Sequence, residues 1–177
     1  TDFAQAFVGA YNYETGSGLA RIFSPPLTPG AKLFAWGPNF GGTPLYTDNG
    51  AEYFEMWGGL PRTFFPDDDI FLQPGDTRAW SEYFLPLPDT NGIGAASKDF
   101  AMTLRANGTQ VIVTAYAAAP HTGILVLKQG DREIQRWDIA LDATQFFQQQ
   151  LNLTERPLTL QRLDRQGNVL LQTTVQE

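Results

Sequence analysis

The stretch that decides the fold class runs from Glu52 to Leu87 and reads EYFEMWGGLPRTFFPDDDIFLQPGDTRAWSEYFLPL. Short aromatic and apolar runs are separated by Gly-Gly, Pro-Asp and Pro-Gly pairs, which is the pattern of strands joined by turns. The run at Thr77–Leu85 is predicted to be a strand, and alternation places Glu55 and Trp57 on one face of an earlier one. No segment of the chain combines a 3.6-residue apolar period with helix caps. The sequence therefore predicts an all-β chain.

The region after residue 98 has the more regular pattern. Seven short strands are predicted there, separated by turns such as Asn107-Gly108, as in an immunoglobulin-like β-sandwich. The polar run Gln145–Leu153 fits either an edge strand or a short helical turn. The predicted strands are Phe100–Leu104, Gln110–Tyr116, Gly123–Lys128, Arg132–Leu141, Gln145–Leu153, Leu158–Leu163 and Val169–Val175.

Composition changes near residue 98 and suggests two parts. The chain has 177 residues, of which 42% are hydrophobic and 18% charged, as in a globular protein. Residues 1–98 contain 11 acidic and 5 basic residues, whereas residues 99–177 contain 8 and 7. The small and turn-forming residues of 89–98, DTNGIGAASK, are interpreted as a linker. We predict a first part at 1–98 and an immunoglobulin-like β-sandwich at 99–177, with one continuous core as the alternative.

Charge and cysteine content exclude several classes of function. The net charge is −7, whereas binding to nucleic acids or anionic membranes requires a basic surface. Neither is therefore expected as a partner. The chain has no cysteine, which excludes disulfides, thiolate catalysis and cysteine-ligated zinc. No apolar run approaches the ~20 residues of a membrane helix, so no membrane insertion is expected. The compartment stays open, and we interpret the chain, which begins at Thr1 without Met, as a piece of a longer protein.

The sequence contains few groups that could perform chemistry. Its one histidine, His121, lies in APHTG and is predicted to be a surface turn residue. A Ser-His-Asp triad or a histidine metal site would need this residue. The acidic run Asp67-Asp68-Asp69 is interpreted as a solvated loop, with calcium binding as the alternative. P-loop, GxGxxG, HExxH and GxSxG motifs are absent, and we predict no catalytic residue, no metal and no cofactor.

Residues 29–87 resemble a bacterial family known as a domain of unknown function, DUF5107. The matching segments are PGAKLFAWG at 29–37, EYFEMWGGLPRT at 52–63 and LQPGDTRAWSEYFLPL at 72–87. This family is associated with the galactose-mutarotase-like supersandwich and with proteins that act on carbohydrates. The resemblance implies an antiparallel supersandwich-like fold for residues 1–98, with a groove of sugar size.

The same stretch supplies the candidate site. Carboxylates accept hydrogen bonds from sugar hydroxyls, while flat aromatic rings stack on apolar sugar faces. The alternative is that the tryptophans form a core and that the glutamates are solvated or paired with arginines. The predicted carbohydrate-binding residues are Trp36, Glu55, Trp57, Arg62, Arg78, Trp80, Glu82 and Tyr83.

Three functions are weighed on these residues. The first is a carbohydrate-recognition or accessory β module of a larger protein, with an oligosaccharide as ligand and neighbouring domains of a longer chain as partners. The second is a structural or protein–protein interaction domain without a small-molecule site, for example one that dimerises through a strand edge. The third is an aldose epimerase or glycosidase in which Glu55 and Glu82 transfer protons.

Overall fold

The structure, a computed structural model, describes residues 6–36 and 51–176, without the side chain of Trp36. The described chain is all-β, and the strand pairs whose register is described are all antiparallel. One short 3-10 helix, Pro66–Asp68, interrupts it. The strands are β1 Phe7–Asn12, β2 Ser17–Ile22, β3 Lys32–Trp36, β4 Tyr53–Trp57, β5 Tyr83–Pro88, β6 Ala95–Ser97, β7 Phe100–Asn107, β8 Gln110–Ala117, β9 His121–Gln129, β10 Arg132–Leu141, β11 Phe146–Asn152, β12 Leu158–Leu163 and β13 Val169–Val175. Within the described ranges, no helix is long and apolar enough to cross a membrane.

The chain forms two compact units. Unit 1 comprises residues 1–8 and 23–83, and unit 2 comprises residues 9–22 and 84–177. The predicted division at residue 98 stays a prediction. The linker interpretation of residues 89–98 was wrong, because Thr90, Ala95 and Ala96 are buried and β6 pairs with β7. Small residues there allow close packing: a Cβ on Gly94 would meet the carbonyl oxygen of Met102 at 3.0 Å.

Two four-stranded sheets of unit 2 bury their facing side chains in one hydrophobic cluster. One sheet has the order β10-β9-β12-β13 and the other the order β11-β8-β7-β6. Alternate residues of β7 and β8 point into the cluster, among them Met102, Val111 and Val113, each fully buried. Leu127 and Leu160 enter it from the first sheet. All seven strands predicted between residues 100 and 175 are present, and the polar run at 145–153 is an edge strand.

Unit 1 has much less regular structure in its described residues. Its sheet is the hairpin pair β3-β4, in which Lys32 lies opposite Trp57 and Trp36 opposite Tyr53. The predicted strand at Thr77–Leu85 was wrong for residues 77–82, which pair with no strand, although β5 begins at Tyr83. The sequence GPNFGG at residues 37–42 predicts a tight turn, and this segment lies outside the described residues.

The two units also differ in how many of their side chains are buried. No residue from 51 to 83 is buried, although this range contains many large apolar side chains. Loss of apolar surface to water is the main favourable term in folding, so this range contributes little core of its own. Its exposed large apolar residues are Tyr53, Phe54, Trp57, Phe64, Phe65, Ile70, Phe71, Leu72, Trp80 and Tyr83.

Candidate functional site

Two of the predicted glutamates are each paired with a tryptophan two residues away. On β4, the indole Nε1 of Trp57 donates a hydrogen bond to a carboxylate oxygen of Glu55. Shortly before β5, the indole Nε1 of Trp80 donates to Glu82 Oε1 at 3.1 Å. The two rings remain 48% and 42% exposed. The structure therefore forms two separate aromatic–carboxylate pairs on the surface of unit 1.

Trp57 also belongs to a small aromatic cluster on β3 and β4. Its ring meets the edge of Phe64 at a centroid distance of 5.3 Å, and Phe64 stacks with Phe34 at 5.7 Å. The ammonium of Lys32 lies 4.6 Å from the centroid of Phe64 and donates to the carbonyl of Pro61 at 2.7 Å. These contacts hold the hairpin and its following loop together, so Trp57 has a structural role beside any binding role.

The remaining predicted residues are distributed along unit 1. Trp36 ends β3, but its side chain lies outside the described residues. Arg62 and Arg78 are exposed in segments without strand structure, and Tyr83 is exposed at the start of β5. Three cavities lie in unit 2, and none of these three is lined by any of the eight predicted residues. The predicted sugar groove thus stays a prediction.

His121 lies in a polar cluster at one end of the unit 2 sheets. It is the first residue of β9, and its side chain is 19% exposed, so the surface-turn interpretation was wrong. Its Nε2 lies 3.2 Å from Asp99 Oδ1, and its Nδ1 lies 3.1 Å from Arg162 Nη2. Because Arg162 can only donate, Nδ1 accepts from it, whereas Nε2 lies near Asp99 without forming a hydrogen bond to it.

Burial also affects the charge of this cluster. Arg162 is 8% exposed, and its guanidinium lies 4.3 Å over the ring of Phe100. Burial lowers the pKa of Arg162 from its ordinary value, and the charge of Asp99 opposes this effect. The hydroxyl of Ser97 lies 3.5 Å from Asp99 Oδ1, but within the described part of the chain no serine hydroxyl bonds to His121, and His121 Nε2 and Arg162 Nε have no hydrogen-bond partner there. The cluster is best explained as a structural polar network.

Sequence reasoning missed a further group of polar residues on β7 and β8. Arg105 and Asn107 of β7 lie opposite Ile112 and Gln110 of β8. Together with Asn91 they line a cavity of about 150 Å³. The only signal in the sequence was the turn pair Asn91-Gly92, since amides and a lone arginine form no recognisable motif.

Comparisons with known proteins found a family match for one part of the chain. A family model described as "YphG-like protein, second domain" matches residues 95–173, which is less than half of the chain. These residues include β6 to β12 and most of β13, the strands of both four-stranded sheets. A search of curated proteins found no match. A search of solved structures found none either.

The resemblance of residues 29–87 to DUF5107 was wrong. The family match is to a different model and falls on the other end of the chain, where only a generic β-sandwich was predicted. The structure has separate antiparallel sheets of two to four strands and gives no support for a galactose-mutarotase-like fold. The segments quoted for the resemblance form the strand pair β3-β4, loops and most of β5.

Proposed function

We propose that the chain is a non-catalytic interaction module that packs against another domain of the same polypeptide. In this proposal the two facing sheets of unit 2 form an immunoglobulin-like sandwich, and residues 51–83 present an apolar surface to the neighbouring domain. The observation that carries the proposal is the absence of any buried residue from 51 to 83, despite ten exposed large apolar side chains there. Exposed large apolar side chains in such number within one short range of the chain are typical of an interaction surface.

The most exposed part of this surface is a loop with apolar ends. Phe64 and Phe65 precede the 3-10 helix, and Ile70, Phe71 and Leu72 follow it. Phe71 is 80% exposed, and the tail of the loop contains a turn in which Asp76 accepts from the backbone N–H of Gln73 and donates its own N–H to the Gln73 carbonyl. Leaving such side chains in water forgoes roughly 1.5–3 kcal/mol each relative to burial. A partner that covers the loop would recover this free energy.

The choice of a neighbouring domain as the partner rests on the family match. The matching model is described as a second domain, and a second domain has at least one neighbour in its own polypeptide. Interfaces between domains of one chain resemble other protein interfaces in area and composition. The exposed aromatic residues of unit 1, including Trp57, Trp80 and Tyr83, are of the types enriched at such interfaces.

Photo-cross-linking in the complete gene product tests this proposal. A photoreactive amino acid replaces Phe71, and the matched control replaces Gln148, an exposed residue of the edge strand β11. The expected result is a cross-link from position 71 to peptides outside residues 1–177, at a yield well above that of position 148. Cross-links only between two copies of residues 1–177, or none above the control, would contradict the proposal.

Carbohydrate recognition is the second candidate function. It is favoured by the pairs Glu55–Trp57 and Trp80–Glu82, because each presents a half-exposed indole ring beside a carboxylate. Calorimetric titration with a panel of oligosaccharides tests it, and Trp57→Ala should weaken any binding. If no saccharide binds even at millimolar concentration, this candidate is excluded.

A further inference from the structure

The cavities of unit 2 differ in how their polar side chains are satisfied. In the cavity beside β10, Arg132 donates to Gln129, which donates in turn to Glu155, so these groups pair with one another. In the cavity on β7 and β8, Arg105 has no carboxylate partner within residues 6–36 and 51–176. The cavity on β7 and β8 therefore has polar groups available to bind a ligand.

The walls of this cavity follow from the strand register. Arg105 and Asn107 share the outer face of β7, and their partners Ile112 and Gln110 share the outer face of β8. One step further along, Thr103 lies opposite Thr114 on the same face, and both are buried. What covers these threonines is the loop between β5 and β6, and the cavity is the space between that loop and the hairpin end.

Buried hydroxyl groups fix this loop. Thr103 Oγ1 donates to the carbonyl of Gly92 at 2.9 Å, and Thr90 Oγ1 donates to the same carbonyl at 2.8 Å. Thr114 Oγ1 donates to the carbonyl of Thr90. All three threonines are at most 4% exposed. The loop is therefore preorganised by buried hydroxyl groups, two of which lie on the outer face of β7 and β8.

The loop holds the backbone of Asn91 in a conformation that residues other than glycine rarely adopt. Asn91 has φ of 56°, and Asp89, two residues earlier, has φ of 49°. The backbone N–H of Asn91 donates to the hydroxyl of Tyr11 at 3.0 Å, which helps to hold this geometry. Two non-glycine residues with positive φ so close together cost free energy, and such strain concentrates at functional sites.

Asn91 and Tyr13 position the guanidinium of Arg105. Arg105 Nη1 donates to Asn91 Oδ1 at 3.0 Å, and the guanidinium lies 4.5 Å over the ring of Tyr13. One N–H group of the guanidinium is used in this hydrogen bond, and the remaining N–H groups are available to donate to a ligand. The side-chain amides of Asn107 and Gln110 make no hydrogen bond within the described parts of the chain. The cavity thus offers one fixed positive charge flanked by two free amides.

We propose that this cavity binds one small hydroxylated carboxylate of the sugar-acid class. Arg105 has no acidic partner within the described residues, although the net charge of the chain is −7. It can therefore bind the carboxylate of a ligand through charge-assisted hydrogen bonds. Amides donate and accept, which suits the hydroxyl groups of such a ligand. The volume of about 150 Å³ lies below the roughly 300–1,000 Å³ of sites for drug-sized ligands, so it limits the ligand to about one sugar ring.

NMR titration of the isotope-labelled chain at constant ionic strength tests the proposal, using sodium glucuronate, glucose and sodium acetate as probes. The expected result is saturable binding of glucuronate, with shifts at Asn91 and at the side-chain amides of Asn107 and Gln110. Glucose, which lacks the carboxylate, and acetate, which lacks the hydroxyls, should each bind at least tenfold more weakly. No saturable binding of glucuronate, or equal binding of glucose, would overturn the proposal.

Two variants separate recognition from folding. Arg105→Gln retains an N–H donor in the form of an amide but removes the charge, and it should weaken glucuronate binding at least tenfold. Asn91→Gly removes the group that positions Arg105 while its positive φ suits glycine, so binding should weaken with no loss of thermal stability. Arg132→Gln, in the mutually paired cavity, is the control and should bind as the unmodified chain does. This proposal does not depend on the apolar surface of unit 1, and either can fail alone.

Discussion

Residues 51–83 and residues 95–173 both have strand-forming composition, yet only the second range forms a core. The earlier range contains the aromatic runs of β4 and of Thr77–Leu85, but from 51 to 83 no side chain is buried. In the later range, two sheets face each other and enclose fully buried residues such as Phe100 and Leu127. The difference teaches that β composition describes side chains suited to a half-buried surface, and an opposing layer must still supply the burial.

The largest expected effect comes from removing core volume. Leu127→Ala, at a fully buried position between the sheets, should lower the free energy of unfolding by about 2–5 kcal/mol, from lost burial and the cavity left behind. Phe71→Ala removes a larger side chain, but at a site 80% exposed, and should change it by less than about 0.5 kcal/mol. Urea unfolding followed by circular dichroism measures both. Similar losses for the two variants would erase the contrast between the ranges.

Substitutions of one glycine in each range test the same difference, and their expected effect on stability is smaller. In Gly94→Ala, the new Cβ would lie 2.8 Å from Thr173 Oγ1 and 3.0 Å from the Met102 carbonyl, and overpacking should cost about 1–3 kcal/mol. Gly75 has φ of +94° but no atom within 4 Å of an added Cβ. Gly75→Ala therefore strains only its own turn in residues 51–83. It should leave the unfolding midpoint of unit 2 unchanged, and an equal shift for both variants would contradict this.

The smallest effect is a pH dependence within unit 2. The hydrogen bonds from Arg136 lower the pKa of Glu133 below its ordinary value. A carboxylate whose pKa is lower in the folded state stabilises the fold above its unfolded pKa of about 4.3 and loses this contribution as pH falls through the folded value. Glu133→Gln should therefore lower the melting temperature slightly at pH 7, and the difference should vanish in acid. Both side chains are exposed, so the effect is small.

The double variant controls this prediction. In a chain that already has Arg136→Gln, the substitution Glu133→Gln should produce no pH-dependent difference, because the partner is missing. A difference that persists in the double variant, or that grows towards low pH, would show that the Arg136 pair is not its cause.

Local pattern was sufficient for the strands of unit 2. Alternation and turn pairs such as Asn107-Gly108 predicted all seven strands from residue 100 onward, because each strand contributes apolar side chains to the shared hydrophobic cluster. The same pattern was wrong at residues 77–82, since no neighbouring strand is there to complete a ladder. It also misread Gly94, Ala95 and Ala96 as linker, because small residues serve both flexible segments and tight packing.

The candidate sites required information that single segments do not contain. The Trp80–Glu82 pair could be inferred from spacing, since the two side chains are only two residues apart. The Asn91–Arg105 contact joins residues 14 positions apart and depends on a loop fixed by buried threonines, so no motif announces it. His121 was misread because its partners Asp99 and Arg162 come from other elements.

Hydrogen exchange of the isolated chain, followed by mass spectrometry, tests the central claim most directly. The claim is that residues 51–83 have no core of their own and obtain burial from a partner. It predicts that amides of residues 64–82 exchange near the unprotected rate, while those of β8, β9 and β12 exchange only on global unfolding. Protection of residues 64–82 comparable to that of β9, in the chain alone, would contradict the claim.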